Sequence, residues 1–230
     1  MEIVWLGHSC FRIRGREATV VTDPCPPSSG YTMGKPTADI VTVSHPHENH
    51  SYVKGVAGHP VLIERPGEYE IHGAFLTGVG TYHDTSKGAA RGPNVAFVVE
   101  MEDLRVCHLG DLGHTPTPNQ VEEMSGVSVL LIPVGGNTTI DGATAAEVVN
   151  LIEPAIVIPM HYRTEVTKDE LAPLDRFLKG WRKTHLFSSV WRSRIYPGGV
   201  QPEHPPGRAL SAKASAPAPS GAQGRCPGPS

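Results

Sequence analysis

The sequence predicts a layered α+β or α/β sandwich, a reading carried by the order and character of its apolar runs. The first half of the chain is dense in short strand-like runs separated by Gly and Pro turns. The second half alternates apolar runs with helical patterns, and two of those runs, 127–132 and 155–158, are continuously apolar, as in strands buried on both faces.

In order, residues 3–6, 11–14, 18–22, 40–43, 61–64, 69–74, 95–100 and 104–107 read as strands. The last two form an expected hairpin turning at Met101-Glu102-Asp103. Residues 119–124 fit a short helix, and 143–152 carry helical apolar periodicity that stops before Pro154. Residues 167–181 open on a capping-box pattern, Thr167 with Glu170, and hold Gly180 in their last turn.

The chain has 230 residues, 39% hydrophobic and 19% charged, with a formal net charge of −3. That length supports one domain with a real core, here placed at residues 1–200. In the tail, 201–230, 21 of 30 residues are Pro, Ala, Gly or Ser and none is aromatic, which predicts disorder because little apolar surface offsets chain entropy. The charge balance argues against a nucleic-acid surface. Cys10, Cys25, Cys107 and Cys226 show neither a CxxC pair nor framework spacing, so they are expected to be buried thiols of a reducing compartment. There is no signal-peptide pattern and no run of about 18 apolar residues. A cytoplasmic location is the expectation.

Chemistry-bearing residues gather at the ends of the strand-like runs. His45-Pro46-His47-Glu48-Asn49-His50 places three histidines in six residues directly after 40–43. Imidazole is the commonest protein ligand for zinc and its neighbours, so this density points to a metal site. His45 and His47 share a face of extended backbone, and His50 lies where the chain can turn back. The placement recurs: His8 after 3–6, Asp23 after 18–22, His83 closing Gly78-Val79-Gly80-Thr81-Tyr82-His83-Asp84, His108 and Asp111 after 104–107, and His161 after 155–158. Strand-end loops are where rigid scaffolds hold catalytic groups, so a shared edge would let these converge. His8, Asp23 and His108 are candidates for orienting ligands or lining the pocket. Tyr162 and Arg163 stand where a substrate anion could be met. Glu48 is expected to project away from its neighbour Asn49. His59, His72, His114, His185 and His204 lack a supporting pattern and are expected to be surface or packing residues. Neither Gly135-Gly136-Asn137 nor Arg91-Gly92-Pro93-Asn94 matches a phosphate loop.

Taken together, HxHxxH at 45–50, His83, Gly110-Asp111 and Pro159-Met160-His161-Tyr162 resemble the metallo-β-lactamase-fold superfamily of metal-dependent hydrolases. Trp5-Leu6-Gly7-His8-Ser9, Asp23-Pro24, Pro66-Gly67-Glu68-Tyr69-Glu70 and Val134-Gly135-Gly136 look like its ascorbate phosphate lactonase-like branch. The similarity covers residues 1–165 closely and 166–200 loosely. It implies an α+β four-layer αβ/βα sandwich with metals at one edge of the paired sheets. It further implies a first metal site of His45, His47 and His83, a second of His50 and His161, and Asp111 bridging the two, with Asp111 and His50 as the catalytic residues. The family normally carries Asp at position 49, so Asn49 is at most a weak ligand. The implied ion is Zn2+, one or two per chain, with Mn2+ or Fe as alternatives.

A divalent ion on neutral imidazoles lowers the pKa of bound water from about 15.7 towards 7. Two ions about 3.5–4 Å apart can hold the resulting hydroxide and stabilise a tetrahedral or phosphoryl transition state. The expected function is hydrolysis of an ester, lactone or phosphoester of a small molecule. Asn49 removes a negative charge and a proton acceptor, which gives the alternative of a metal-binding protein with weak or lost hydrolysis. A nuclease-type phosphodiesterase ranks third, because the net charge is −3 and the large insert of such enzymes is missing. The expected partner is a small-molecule substrate. A membrane is excluded, nucleic acid disfavoured, and a homo-oligomer left open.

Overall fold

A computed structural model describes residues 1–181. The predicted tail at 201–230, together with His185, His204 and Cys226, lies outside the described residues.

Two mixed sheets form the frame. The first runs β1 (Glu2–Gly7), β2 (Cys10–Arg14), β3 (Thr19–Thr22), β4 (Ile40–Thr42) and β5 (Val61–Ile63) in spatial order. Its β1/β2 and β2/β3 pairs are antiparallel, and its β3/β4 and β4/β5 pairs are parallel. The second sheet contains β6 (Gly67–Ile71), β7 (Ala74–Tyr82), β8 (Pro93–Met101), β9 (Leu104–His108), β10 (Val129–Pro133) and β11 (Ile156–Met160), in the order β11-β10-β9-β8-β7-β6. Its β9, β10 and β11 are mutually parallel, while β6 to β9 form an antiparallel meander.

Side-chain alternation explains the layering. Phe11, Ile13, Val20, Ile40 and Ile63 of the first sheet pack against Leu76, Val95, Phe97, Val99, Val106 and Leu131 of the second. The intervening residues of the second sheet, such as Val98, Cys107, Leu130 and Ile132, face away and are covered by α2 (Gly142–Ile152) and α3 (Leu174–Trp181). A shorter helix, α1 (Pro118–Glu123), begins at a capping box between Thr117 and Gln120. The far face of the first sheet, with Val21, Val41 and Val43, packs against Tyr31 and Val56 from loops that carry two short 3-10 turns. Among the described residues this outer layer contains no α-helix. The layered α+β sandwich expected from the sequence is therefore present, with its α-helices on one side.

Four element readings need correction. Residues 69–74 are not one strand: His72 and Gly73 adopt φ of 50° and 74°, turning β6 into β7. Strand β7 was missed because Gly78 and Gly80 weaken its pattern. The helix expected over 167–181 starts only at Leu174. Thr167 Oγ1 instead receives the Thr164 N–H at 3.0 Å and meets the Tyr31 hydroxyl at 2.8 Å. Pro173 disfavours helical backbone at Ala172 and so delays the start. Finally, β11 is an edge strand among the described residues, with Ile156 46% exposed, rather than buried on both faces.

The pairing directions place the C-terminal ends of β1, β3 and β4 on one edge of the first sheet, and those of β7, β9, β10 and β11 on one edge of the second. The candidate residues follow those strand ends.

Candidate metal centre

The Asp111 carboxylate lies at the focus of the strand-end residues. His50 Nε2 lies 3.4 Å from Asp111 Oδ1. Nε2 of His83 and of His161 each lie 3.4 Å from Oδ2, and that of His45 lies 3.9 Å from it. Ligand-capable atoms fall into three groups, each within 4.8 Å: His45, His83 and Asp111; His45, His47 and His50; and His8, His50 and His161. All of these residues are buried except His47, whose ring stacks beside His45 at a centroid distance of 5.9 Å.

Local backbone explains how the ligands arrive. His8, Asp23 and His161 sit directly beyond β1, β3 and β11, and all three adopt left-handed φ, at 51°, 39° and 50°. Backbone strain of this kind concentrates at functional sites because only the surrounding structure can hold it. Gly110, at φ 57°, leaves room for Ser44 and the Asn94 carboxamide, and a Cβ there would collide with both. Asn94 in turn accepts the Asp111 N–H at 2.9 Å and donates to Leu109 O at 3.0 Å, which sets the turn carrying the carboxylate. Gly135 packs against the His161 carbonyl so closely that any Cβ would clash with it.

Behind the histidines lies Asp23, fully buried. Its oxygens accept Ser44 N–H at 2.7 Å and Ser44 O–H at 2.6 Å, and lie 2.7 Å from His50 Nδ1. Ser44 Oγ also reaches His45 Nδ1 at 3.0 Å. Asp23 thus orients one histidine directly and a second through Ser44, as carboxylates behind ligating imidazoles commonly do. His108 contacts backbone rather than a ligand: Nε2 meets Ser9 O at 2.8 Å, and Nδ1 accepts the Gly110 N–H at 3.2 Å.

The electrostatics favour a bound cation. Burial, reinforced by His50, lowers His45 to about 4 against the pull of Asp111. Burial also lowers His161 to about 3, again opposed by Asp111. Burial lowers His83 and His108 as well. These rings are neutral at pH 7 and keep a lone pair for a metal. His50 is the exception: burial opposes its charge, but Asp111 and Asp23 outweigh that and raise it to about 10. Burial would raise Asp111, yet the surrounding histidines, His161 first, hold it well below the usual carboxylate range. In the metal-free protein the charged His50 ring therefore faces Asp23 with Nδ1–H and Asp111 with Nε2–H, and a cation on Nε2 would take the place of the second proton.

Unpartnered atoms point the same way. His45 Nε2, Asp111 Oδ1 and both ring nitrogens of His8 are buried without a hydrogen-bond partner. Leaving such groups unsatisfied costs about 1–3 kcal/mol each. Convergent imidazoles around one carboxylate form the N/O donor set of zinc and similar ions, so the residues present fit a metal.

The centre opens into a cavity of about 640 Å³. Arg91, Asn137, Thr138, Lys168 and Asp169 lie along its wall beyond the histidines. Tyr162 and Arg163 are not part of that wall. Tyr162 is buried and stacks on Trp5, with centroids 5.8 Å apart, while Arg163 pairs through its backbone with Pro173. Glu48 is exposed, as its position beside Asn49 required. Asn49 lines the cavity, and its Nδ2 donates to Asp169 Oδ2 at 3.3 Å. Sequence reasoning missed Ser44, Asp84, Asn94, Lys168 and Asp169. Ser44 and Asp84 each adjoin a ligand in the chain, a signal that could have found them. Asp84 accepts the backbone N–H groups of Ser86, Gly88, Ala90 and Arg91, which shapes the loop that carries Arg91.

Comparison with known proteins gives the family of this fold. Residues 2–161 match the family model described as the beta-lactamase superfamily domain. A UPF0173 protein of Pyrococcus furiosus is 29% identical over 223 residues, covering 86% of this chain and 99% of its own. A UPF0173 metal-dependent hydrolase of Thermoplasma acidophilum is 29% identical over 191 residues, covering 71% of this chain and 84% of its own. Among solved structures, a candidate Zn-dependent hydrolase of the metallo-β-lactamase superfamily from Thermotoga maritima is 45% identical, with a TM-score of 0.66. That match covers 77% of this chain and 84% of the other.

Proposed function

Because this chain belongs to the metallo-β-lactamase superfamily, we propose that it is a metal-dependent hydrolase of a small-molecule ester, lactone or phosphoester. The observation that carries the reading is the ring of His45, His50, His83 and His161 around Asp111, with ligand atoms left unpartnered. His45, His47 and His83 would hold a first ion and His50 and His161 a second, with Asp111 within reach of both sets. Zn2+ suits the imidazole-rich set, and Mn2+ or Fe are the alternatives. When bound, such an ion supplies ionised water at neutral pH and positive charge for a developing oxyanion.

The protein's own groups do the rest. Asp23 and Ser44 fix the imidazoles, while Asn94 fixes Asp111. Asp111 and His50, the two residues taken as catalytic, then stand at the reacting centre as ligands that would hold the ion and its water, with His50 kept in register by Asp23. Arg91 and Lys168 on the cavity wall offer positive charge to an anionic part of the substrate. The phrases Trp5-Leu6-Gly7-His8-Ser9 and Pro66-Gly67-Glu68-Tyr69-Glu70 are our grounds for the finer placement in the ascorbate phosphate lactonase-like branch. Cys10, Cys25 and Cys107 are free, buried thiols, and burial pushes Cys25 to about 11 and Cys107 to about 12. Such unreactive thiols support the cytoplasmic assignment. Among the described residues no helix is long and apolar enough to cross a membrane.

The test is hydrolysis. Protein stripped with chelator and reloaded with Zn2+, Mn2+ or Fe2+ is assayed on a panel of lactones, thioesters and phosphodiesters. Metal-restored turnover of at least one class is expected. Binding of metal with no turnover on any class would favour the second reading, a metal-binding protein without hydrolysis, for which Asn49 is the motive.

A further inference from the structure

The residue at position 49 cannot supply the carboxylate that a second ion would use, and the Nδ2 of its amide is committed to Asp169. Another buried side chain stands beside it. His8 is 2% exposed, and neither of its ring nitrogens has a hydrogen-bond partner. Its ring centroid lies 4.5 Å from that of His161 and 5.0 Å from that of His50. One nitrogen from each of the three falls within 4.8 Å of the others, a spread that small ring rotations close. A buried imidazole without a hydrogen-bond partner on either nitrogen is costly unless something binds it.

We propose that His8 is the third protein ligand of the second ion, replacing residue 49, so that this ion is held by His8, His50 and His161 with Asp111 shared. The proposal rests on the two-ion reading above. Asp169 gives the site back the negative charge that the amide removed. Its Oδ2 lies 3.4 Å from His8 Nε2, an ion-pair distance without hydrogen-bond geometry, and the same oxygen receives the Asn49 amide at 3.3 Å. Asn49 is then a positioning residue, donating to the carboxylate that faces His8. An Asp at position 49 would set two carboxylates against each other there, so the amide is matched to Asp169 rather than merely a lost ligand.

Backbone conformation dictates the variants. With φ at 51°, position 8 accepts Asn or Gly far better than Ala. The full-length wild type, His8→Asn, His8→Gly and Asn49→Ala proteins are stripped and titrated with Co2+, reading d–d absorption and metal equivalents, with circular dichroism to confirm folding. Two equivalents are expected in the wild type, and Asn49→Ala should keep both, with the second weakened less than in the His8 variants. Both His8 variants should keep the first and bind the second at least 10-fold more weakly, since losing a direct ligand costs no less than losing a group that orients one. Two equivalents of unchanged affinity in folded His8→Asn and His8→Gly would overturn the proposal while leaving the hydrolase reading standing. Loss of the second ion in Asn49→Ala with retention in the His8 variants, or a single equivalent in the wild type, would overturn it too. A wild type that binds no cobalt would instead overturn the metal reading on which it rests.

Discussion

Replacing Asp23 with Asn probes the carboxylate behind the histidines at almost constant volume. Asp23 accepts Ser44 N–H at 2.7 Å and Ser44 O–H at 2.6 Å, and faces His50 Nδ1 at 2.7 Å. The amide keeps one acceptor for Ser44 N–H and turns an NH2 group towards Ser44 Oγ and His50 Nδ1. The hydroxyl can rotate to accept, but His50 can no longer carry its proton on Nδ1. That proton then moves to Nε2, the nitrogen 3.4 Å from Asp111 Oδ1 that a metal must find free. Otherwise two buried donors face each other, at about 1–3 kcal/mol. Removing a group that orients a ligating histidine typically costs 10–100-fold in metal affinity, about 1.4–2.7 kcal/mol, so the two routes agree. The assay is competition for Zn2+ against a chromophoric chelator at fixed pH. The dissociation constant of Asp23→Asn is expected to rise 10–100-fold. A folded variant whose affinity stays within about twofold of wild type would refute the orienting role.

Other expectations are equally open to measurement. Metal-free protein should be most stable near pH 6.5, where unperturbed histidine titrates. His45 and His161 titrate near 4 and 3 when folded, so the unfolded chain binds more protons in that acid window and stability climbs as pH rises towards 6.5. His50 titrates near 10 when folded, so its contribution is complete below about pH 6.5 and is lost as pH rises through 10. Urea titrations from pH 4 to 10 read this directly, and a profile flat across that range would contradict it. Gly135→Ala should destabilise by about 1–3 kcal/mol, because the added Cβ must displace the His161 backbone. It should weaken metal binding as well, by thermal melts with and without Zn2+. Asp84→Asn should speed amide exchange at 86–91 and lower kcat/KM with metal content unchanged, since its carboxylate holds four backbone N–H groups of that loop. Phe97→Ala, between the sheets, should cost about 3–5 kcal/mol in urea unfolding while leaving metal stoichiometry intact.

The strand-rich first half and the strand–helix second half were legible because alternation and continuous apolar runs report burial directly. The strand-end histidines and Asp111 were legible for a related reason: C-terminal strand ends share an edge whenever the strands run parallel. Strand β7 escaped because glycines at 78 and 80 hide the alternation that Leu76 and Thr81 would otherwise show. The start of α3 was misplaced because Thr167 and Glu170 look like a capping box, while Thr167 is engaged by Thr164 and Tyr31, and Tyr31 is distant in the chain. Asp169 and Lys168 carry no local signature at all. Their place on the cavity wall depends on how 163–173 folds back along the metal edge, with Ala172 N–H donating to Gly135 O at 2.8 Å. Asn49 was legible as a departure, but its meaning required seeing that its amide meets Asp169.

The central claim is that the histidines around Asp111 hold a catalytic transition metal, and metal content tests it most directly. Full-length protein purified without chelator, then analysed by inductively coupled plasma mass spectrometry and titrated with Zn2+, should carry or take up between one and two equivalents. Asp111→Asn should carry far less. Less than about half an equivalent of any transition metal in the wild type, with no affinity on titration, would contradict the account.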